Sequence, residues 1–395
     1  MMSIKNFFFK CRKHIAWLRI SLDGYLKFRK IIDKDSCVLF SHNGDSAGGA
    51  PVVLFELACS IKNTEKVVFL CGKPGGIVDL CEKKHIQVFS TYLLQNAFIH
   101  TMEKKKIKAL IINTVALSKV VATLNNYDCS FPVFWWIHEE KKLLLSYKPF
   151  MPKKLKSNIH VLCVSSTVQQ NLNEMVPEYC GRSNVFYYGC RDIYSSSNSY
   201  LYSSRVKDST FVVSVIGRLC ERKNQIQVVE AYNLLPARIR EKVIIRFIYA
   251  SAEKTYLSRL KDISTGNSNI KFVGTVLRSE MDKIYYTSDL IVCSSIDDPL
   301  PVVITEAMMF RIPFITSSKT GQYSLVKDGI NGYKYSVTST EELMKAIVRA
   351  YDNKSLEDMK KKERELYLKY FTPCTVRNNF EALFSSACKT TKEEV

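Results

Sequence analysis

The stretch from Leu290 to Thr316 limits the possible folds of this chain most. It opens with one apolar run, Leu290–Cys293, and closes with another, Ile312–Thr316, and each is short enough to be a buried strand. Between them, Pro301 has its φ angle pre-set for the first turn of a helix, which predicts a helix that starts at Val302. A strand, loop, helix and strand in this order are typical of a parallel sheet covered by helices.

The same pattern recurs along the chain. Similar apolar runs cover residues 37–41, 67–71, 86–89, 109–112, 133–137, 160–164, 184–187, 211–216, 243–248 and 270–273. Stretches with helical spacing lie between them, so we expect parallel sheets with helices on both faces. A Ser-rich break at residues 194–209 divides the runs into two series, which predicts two doubly wound domains with a cleft between them.

The loop before the predicted helix has the features of an anion and sugar site. The amides of Val302 and Val303 would lack partners at the helix N-terminus, where the helix dipole favours negative charge. Glu306 follows one turn later and can accept two hydrogen bonds from a diol such as ribose. Asp298 lies eight residues before Glu306, in the loop. A nucleoside diphosphate sugar offers both a phosphate and a diol.

Two cations follow the first strand of the second series. Arg218 and Lys223 lie five residues apart, across a turn into a helix that is expected to start near Gln225. Both can point toward the carboxyl end of the sheet, where they would neutralise the charge of a departing diphosphate. We therefore predict that both residues are catalytic. A solvated basic loop is the alternative interpretation.

The first series contributes two further candidates. The loop Ser41–Pro51 contains Gly48 and Gly49, which would let the backbone come close to a ligand. This loop lacks the lysine of a P-loop, so nucleotide hydrolysis is not expected, and a plain turn is the alternative. His138 ends the strand 133–137 and would face the predicted cleft, so we predict a catalytic role, although a lone histidine is more often structural.

The spacing of Asp298 and Glu306, followed by Ala-Met and a strand, resembles the E-x7-E signature of the family 4 retaining GT-B glycosyltransferases. Asp298 stands where that family has Glu. In the family, the first acid contacts the donor sugar, the second contacts the nucleotide ribose, and the Arg and Lys of a G-R-L and K-N motif bind the diphosphate. The resemblance extends from about residue 37 to about residue 387 and is strongest over residues 211–335.

The resemblance implies an α/β GT-B fold, with two Rossmann-like doubly wound parallel-sheet domains that face each other across a cleft. It divides the chain into a basic N-terminal segment 1–36, an acceptor-binding domain 37–195, a linker 196–209, a nucleotide-sugar-binding domain 210–375, and a C-terminal helix 376–395 that crosses back to the first domain. It assigns His138 a place near the donor sugar. It assigns donor binding to Gly48, Gly49, Arg218, Lys223, Asp298, Leu300, Val302, Val303 and Glu306.

The implied activity is that of a retaining hexosyltransferase, which moves a sugar from a UDP- or GDP-sugar to a hydroxyl of a glycan or a lipid-linked acceptor. The expected context is the synthesis of bacterial surface polysaccharide or lipid-linked glycan. No metal or other cofactor is expected, because Arg218 and Lys223 supply positive charge. An inactive scaffold of the same fold remains an alternative, because Asp298 and Pro51 stand where many relatives have Glu.

Charge and hydropathy bear on location. The net charge of +19 allows a nucleic-acid partner, but the chain has no RNP, zinc or helix-turn-helix signature, so we expect no nucleic acid. The segment 1–36 interleaves aromatic and aliphatic residues with Lys and Arg, which predicts either contact with an anionic membrane or an ordinary helix packed on the first domain. The 13 cysteines lack metal-ligand spacing and are interpreted as free thiols. We therefore expect a cytoplasmic protein, peripheral on the inner face of the plasma membrane.

Overall fold

A computed structural model describes residues 4–46, 49–127, 129–194, 210–353 and 355–393. The chain divides into two compact units. The first takes residues up to Val164, then Val168–Gly189, and the chain from Pro373 onward, and the second takes Ser165–Thr167 and Cys190–Thr372. The predicted linker, residues 196–209, lies outside the described residues.

The first unit is built on a parallel sheet with the strand order β3-β2-β1-β4-β5-β6-β7. Its strands are β1 Ser36–Ser41, β2 Lys66–Cys71, β3 Gln87–Ser90, β4 Ala109–Asn113, β5 Val133–Ile137, β6 Ile159–Cys163 and β7 Ser183–Val185. Every residue of β1, β4 and β5 is buried, as expected for mainly apolar runs in a parallel sheet that is covered on both faces. The strand order reverses between β1 and β4, so the carboxyl ends of these two strands border a crevice that suits ligand binding.

Helices cover the faces of this sheet. They are Ile4–Ile31, Gly49–Ile61, Gly76–Lys83, Gln95–Lys105, Ser118–Asn126, Lys141–Tyr147, Ser166–Met175 and Pro373–Glu393. The last helix belongs to the first unit, where the Phe380 ring packs on the Phe134 ring with centroids 5.7 Å apart.

The N-terminal helix Ile4–Ile31 packs against the edge strand β3. The buried hydroxyl of Ser21 donates a hydrogen bond to the Ser90 hydroxyl at 3.0 Å. The buried Phe28 ring contacts the rings of Phe89 and Phe98, with centroids 5.8 and 4.7 Å away. Residues 14–31 thus form a helix that packs on the first unit, and contact of this segment with a membrane stays a prediction. Within the described residues, no helix is long and apolar enough to cross a bilayer.

The second unit repeats the plan with the strand order β10-β9-β8-β11-β12-β13. Its strands are β8 Phe211–Ile216, β9 Val243–Ile248, β10 Ile270–Gly274, β11 Leu290–Cys293, β12 Phe314–Ser317 and β13 Tyr333–Tyr335. The helices are Gln225–Asn233, Ala237–Arg240, Lys254–Ser264, Met281–Tyr286, Val302–Phe310, Thr340–Tyr351 and Leu356–Tyr370. The two doubly wound parallel sheets predicted from the sequence are confirmed.

Candidate functional site

The carboxyl edge of the second sheet positions most of the predicted site residues. The neighbouring strands β8 and β11 end here, and the chain continues from them into the turn at Gly217 and into the loop before Val302. Gly217 has a φ angle of +143°, which a residue with a side chain rarely adopts. The Gln225 side chain donates a hydrogen bond to the Arg218 carbonyl at 2.8 Å and so fixes this turn.

Lys223 and Asp298 form a buried ion pair. The Lys223 Nζ lies 2.5 Å from the Asp298 Oδ2, and the two side chains are 18% and 10% exposed. The Ser295 hydroxyl donates to the same carboxylate oxygen at 3.3 Å. Burial by itself lowers the pKa of Lys223, but the surrounding groups, first among them the Asp298 carboxylate, together more than offset this effect, and the pKa is raised. Lys223 therefore remains a cation inside the site.

The backbone of Asp298 is held by the segment that follows β12. Its amide donates to the Lys319 carbonyl at 2.9 Å, and its carbonyl accepts from the Gly321 amide at 2.9 Å. A Cβ atom added at Gly321 would collide with the Pro299 carbonyl oxygen, so this approach of two backbones requires glycine. The position of the Asp298 carboxylate is thus set by backbone contacts.

The helix Val302–Phe310 begins where the sequence predicted. Pro301 precedes it with φ −62° and ψ 120°, and the Ile304 amide donates to the Pro301 carbonyl at 3.1 Å. The amides of Val302 and Val303 belong to the first turn of this helix, where amides lack intrahelical acceptors and the helix dipole is positive. Leu300 is buried just before this turn, at 6% exposure. This end of the helix can bind an anion.

Glu306 is buried and already has two partners. Its Oε2 accepts a hydrogen bond from the Tyr285 hydroxyl at 2.5 Å, and its Oε1 pairs with the Arg278 guanidinium. The pKa of Tyr285 is raised well above its usual value, mainly by burial and next by the negative charge of Glu306. The phenol therefore stays protonated and donates its hydrogen bond to Glu306. The Tyr285 ring stacks on the Phe310 ring at 4.9 Å. Sequence reasoning missed Arg278 and Tyr285, because no motif connects them to Glu306.

Arg218 lies at the edge of this cluster. Its guanidinium is 3.4 Å from the Glu253 carboxylate, in a pair whose side chains are 58% and 44% exposed. Arg222, which the sequence analysis did not select, donates to the Asp297 carbonyl at 2.8 Å and lies 3.8 Å from the Asp298 carboxylate. An exposed ion pair contributes at most about 1 kcal/mol, so the contact with Glu253 holds Arg218 only weakly.

In the first unit, His138 lies directly after β5. Its ring packs on Trp136, with centroids 4.4 Å apart, and its buried Nε2 has no hydrogen-bond partner among the described residues. Burial lowers the pKa of His138 to about 3, so the imidazole is neutral. It can exchange hydrogen bonds with a ligand but cannot supply charge. Gly49 begins the helix Gly49–Ile61, and Gly48 lies outside the described residues.

A polar cluster that the sequence analysis missed holds the loop of His138. The Glu139 carboxylate accepts from the His138 amide at 2.9 Å, and also from the Val115 amide and the Thr114 hydroxyl. Burial raises the pKa of Glu139 to about 7. Thr114 has a φ angle of +79°, a strained value for a β-branched residue, and its hydroxyl lies 3.5 Å from the His42 Nδ1. These contacts connect residues that directly follow three neighbouring strands: His42 after β1, Thr114 after β4, and Glu139 after β5.

The described residues contain no group of three or more His, Cys, Asp or Glu side chains that could hold a metal ion.

Both units match known protein families. Residues 34–179 match the description glycosyl-transferase family 4, and residues 201–366 match glycosyl transferases group 1. The chain belongs to the group 1 glycosyltransferases of family 4. The family resemblance based on Asp298, Glu306 and the G-R-L motif is confirmed.

This glycosyltransferase also resembles curated proteins over part of its length. It is 27% identical over 159 residues to the Escherichia coli UDP-Gal:alpha-D-GlcNAc-diphosphoundecaprenol alpha-1,3-galactosyltransferase, which is 40% of each chain. It is 28% identical over 131 residues to spore coat protein SA of Bacillus subtilis, which is 31% of this chain and 34% of that protein. The aligned stretches thus span less than half of these relatives.

Solved structures are similar over nearly the whole glycosyltransferase. Anabaena Alr3699/HepE, solved in complex with UDP, has a TM-score of 0.73 at 20% identity, over 89% of this chain and 100% of that chain. Sucrose-phosphate synthase from Thermosynechococcus elongatus has a TM-score of 0.70 at 15% identity, over 89% and 99%. This likeness confirms the GT-B fold.

Proposed function

We propose that this glycosyltransferase moves a sugar from a UDP-sugar to a hydroxyl of a lipid-linked acceptor, with retention of configuration. The observation that carries the proposal is the buried pair of Lys223 and Asp298 beside the N-terminus of the helix Val302–Phe310. UDP rather than GDP is supported by the HepE complexes with UDP and with UDP-glucose, and by the name of the E. coli relative, which is a UDP-Gal transferase. That name also supports a lipid diphosphate acceptor.

The second unit would bind the donor and stabilise the leaving group. The diphosphate would lie between Lys223 and the amides of Val302 and Val303, with Arg218 closing on it from the edge. As the bond from the sugar C1 to the phosphate oxygen breaks, negative charge grows on the diphosphate, and these donors then bind it more strongly. Positive charge from side chains would serve in place of a metal ion.

Glu306 would accept hydrogen bonds from the ribose hydroxyls. Each of its oxygens has one partner and a further lone pair, so a ribose hydroxyl can either share an oxygen or replace a partner. Arg278 is the partner that can leave, because its side chain is 69% exposed, whereas Tyr285 is fully buried. Release of Arg278 would also place a cation beside the nucleotide. Asp298 would orient Lys223 and accept a hydroxyl of the donor sugar.

The first unit would bind the acceptor and complete the reaction. The neutral His138 imidazole would exchange a hydrogen bond with a hydroxyl of the donor sugar. For retention, the acceptor oxygen would bond to C1 on the face that the diphosphate leaves, and the proton of the acceptor hydroxyl would pass to the departing phosphate oxygen. Cations that stabilise a leaving diphosphate serve this path, whereas a glycosidase needs a pair of carboxylates around the bond.

The proposed location is the inner face of the plasma membrane, in surface polysaccharide or lipid-linked glycan synthesis. The outward side of the N-terminal helix supports contact with lipid. Ile15, Leu22 and Leu26 are 67%, 47% and 58% exposed, and Arg19 is exposed among them. Cations beside exposed aliphatic side chains are typical of helices that lie on anionic membranes.

The test is a thermal-shift panel of UDP, GDP and their sugars, followed by donor hydrolysis and transfer assays. UDP and one UDP-sugar should raise the melting temperature, because a ligand that binds only the folded state stabilises it. Lys223→Ala should reduce the rate by roughly 10²- to 10³-fold, by analogy with the loss of one oxyanion donor. Arg238→Ala, at a largely exposed cation of the same unit, is the matched control. The lack of any shift with UDP or GDP contradicts the proposal, and the anomeric signal of the product tests retention.

A further inference from the structure

The segment that follows His138 and Glu139 is unusually basic. Residues 141–156 contain six lysines and no aspartate or glutamate. They form the helix Lys141–Tyr147, the 3-10 turn Lys148–Phe150, and the stretch that leads to β6. Leu144, Met151 and Leu155 are buried and attach the segment to the first unit. The segment is therefore a fixed part of the surface, and its remaining side chains face outward.

Three large apolar side chains of this segment are exposed. Leu143 and Leu145 lie on either side of the buried Leu144 in the helix, and Phe150 ends the 3-10 turn that follows; the three side chains are 42%, 52% and 44% exposed. Single exposed apolar residues are ordinary on protein surfaces, but a group of them surrounded by lysines marks an interaction surface. We call Lys142, Leu143, Leu145, Lys148 and Phe150 the lysine patch.

The cations of the patch are available to a partner. Lys142 and Lys148 are exposed, and neither forms an ion pair with a described residue. Lys119 adds a further cation, with its Nζ 4.7 Å from the centre of the Phe150 ring. The nearby acids lie at the start of the helix, away from Lys148: Glu140 directly precedes Lys141, and Glu174 pairs with Lys141 at 3.2 Å. The patch therefore combines uncompensated positive charge with apolar side chains.

We propose that the lysine patch docks on an anionic lipid bilayer. Lysines gain from the negative potential at the headgroups, and Leu and Phe side chains enter the boundary between headgroups and acyl chains. Nucleic acid would satisfy the lysines but leaves no role for Leu143 and Leu145, because a phosphate backbone offers little apolar surface. A bilayer is the partner that uses both kinds of side chain.

The placement of the patch also gives it a role in the reaction. The helix Lys141–Tyr147 starts four residues after the end of β5, so it begins at the edge of the sheet where His138 and Glu139 lie. Docking here would bring a membrane-embedded acceptor to the carboxyl ends of β1, β4 and β5. This role rests on the proposed function. The docking itself does not.

The experiment is sedimentation of the full chain with vesicles of phosphatidylcholine alone, or of phosphatidylcholine mixed with phosphatidylglycerol. Lys142→Ser with Lys148→Ser should lower the partition coefficient on anionic vesicles by roughly 25-fold, at roughly fivefold for each lysine near the surface. The matched control is Lys104→Ser with Lys105→Ser, at exposed lysines in the last turn of the helix Gln95–Lys105. The control should bind like the unmodified chain.

A second variant separates insertion from charge. Leu143→Ser with Leu145→Ser should weaken binding to anionic vesicles and leave its dependence on salt unchanged, because no charge is removed. The proposal is overturned if the full chain does not sediment with anionic vesicles, if both patch variants bind as the control does, or if only a triple Ser variant at Ile15, Leu22 and Leu26 releases the protein.

Failure of the proposed function gives a different result. All patch variants should keep the UDP-induced thermal shift, because the patch lies outside the donor-binding unit. Transfer to a water-soluble acceptor should also be unchanged, while transfer to a vesicle-borne acceptor falls. Vesicle binding without any response to nucleotide would support the docking and contradict the proposed function.

Discussion

Replacement of Asp298 by Asn removes one charge of the buried pair and leaves the shape of the side chain almost unchanged. Lys223 then loses the carboxylate that lies 2.5 Å from its Nζ, and Arg222 loses the same carboxylate at 3.8 Å. A buried cation without its partner destabilises the fold, and the same cation attracts an anion more strongly. We therefore expect the variant to be less stable without nucleotide and to gain more from binding UDP.

The size of both effects follows from the burial of the pair. Loss of one partner from a fully buried ion pair costs about 3 to 5 kcal/mol. Because the two side chains are 10% and 18% exposed, water reaches them, and we expect a cost of about 2 to 3 kcal/mol. For a domain of this size the melting temperature should fall by roughly 5 to 10 °C. One additional charge-assisted hydrogen bond to the diphosphate should tighten UDP binding about tenfold.

Thermal denaturation with and without UDP, together with calorimetric titration of UDP, measures both quantities. Asp262→Asn, at an exposed acid of the same unit, serves as the control and should change neither. The reasoning is refuted if Asp298→Asn weakens UDP as much as Lys223→Ala does, since the carboxylate would then contact the nucleotide itself. It is refuted equally by an unchanged melting temperature.

Three further changes test other parts of the structure. Gly321→Ala should weaken UDP binding at least tenfold, because a Cβ at this position collides with Pro299 and displaces the Asp298 loop; titration of UDP measures this, and an unchanged affinity contradicts the assigned loop. In the folded protein the Glu139 carboxyl has a pKa of about 7, above the ordinary 4.5, because it is buried. The protein with Glu139 should therefore lose stability relative to the Glu139→Gln variant as the pH rises from about 4.5 to about 7. Melting temperatures across this range, compared between the two proteins, check the sign. Glu363→Met should raise stability by about 1 to 2 kcal/mol, and more at alkaline pH, because burial raises the pKa of this carboxyl well above its usual value and the charges of Lys360 and Arg311 offset this only in part. Denaturant melts at neutral and alkaline pH measure the gain, and a loss of stability would show that the carboxyl has an essential partner.

Much of the fold could be predicted because parallel strands are buried on both faces. The run Leu290–Cys293 became β11 with the predicted bounds, and the helix after Pro301 starts at Val302 as expected. The proline fixes the helix start locally, and the apolar runs are long enough for strands but too short for helices. These signals act over a few residues, so the sequence alone reveals them.

The partners inside the site could not be predicted in the same way. Lys223 and Asp298 are 75 residues apart and meet only because β8 and β11 are neighbours in the sheet. Sequence reasoning assigned them to the diphosphate and the sugar, and gave no sign that they pair with each other. The partners of Glu306 were missed for the same reason. Glu139 stands next to His138 in the sequence, but its burial could not be predicted, because it depends on the neighbouring strand β4, which ends just before Thr114.

The N-terminal helix also has a consequence for how the chain is made. It packs against β3, the outer strand of the sheet, whose unpaired backbone groups could otherwise pair with other chains. Ser21 leaves the ribosome before its partner Ser90, which follows 69 residues later. Until β3 is synthesised, the helix has no sheet to cover, and Phe28 remains in water. Because the helix is synthesised before β3, it can pack against this strand as soon as the strand folds. Aggregation through β3 is then opposed from that moment.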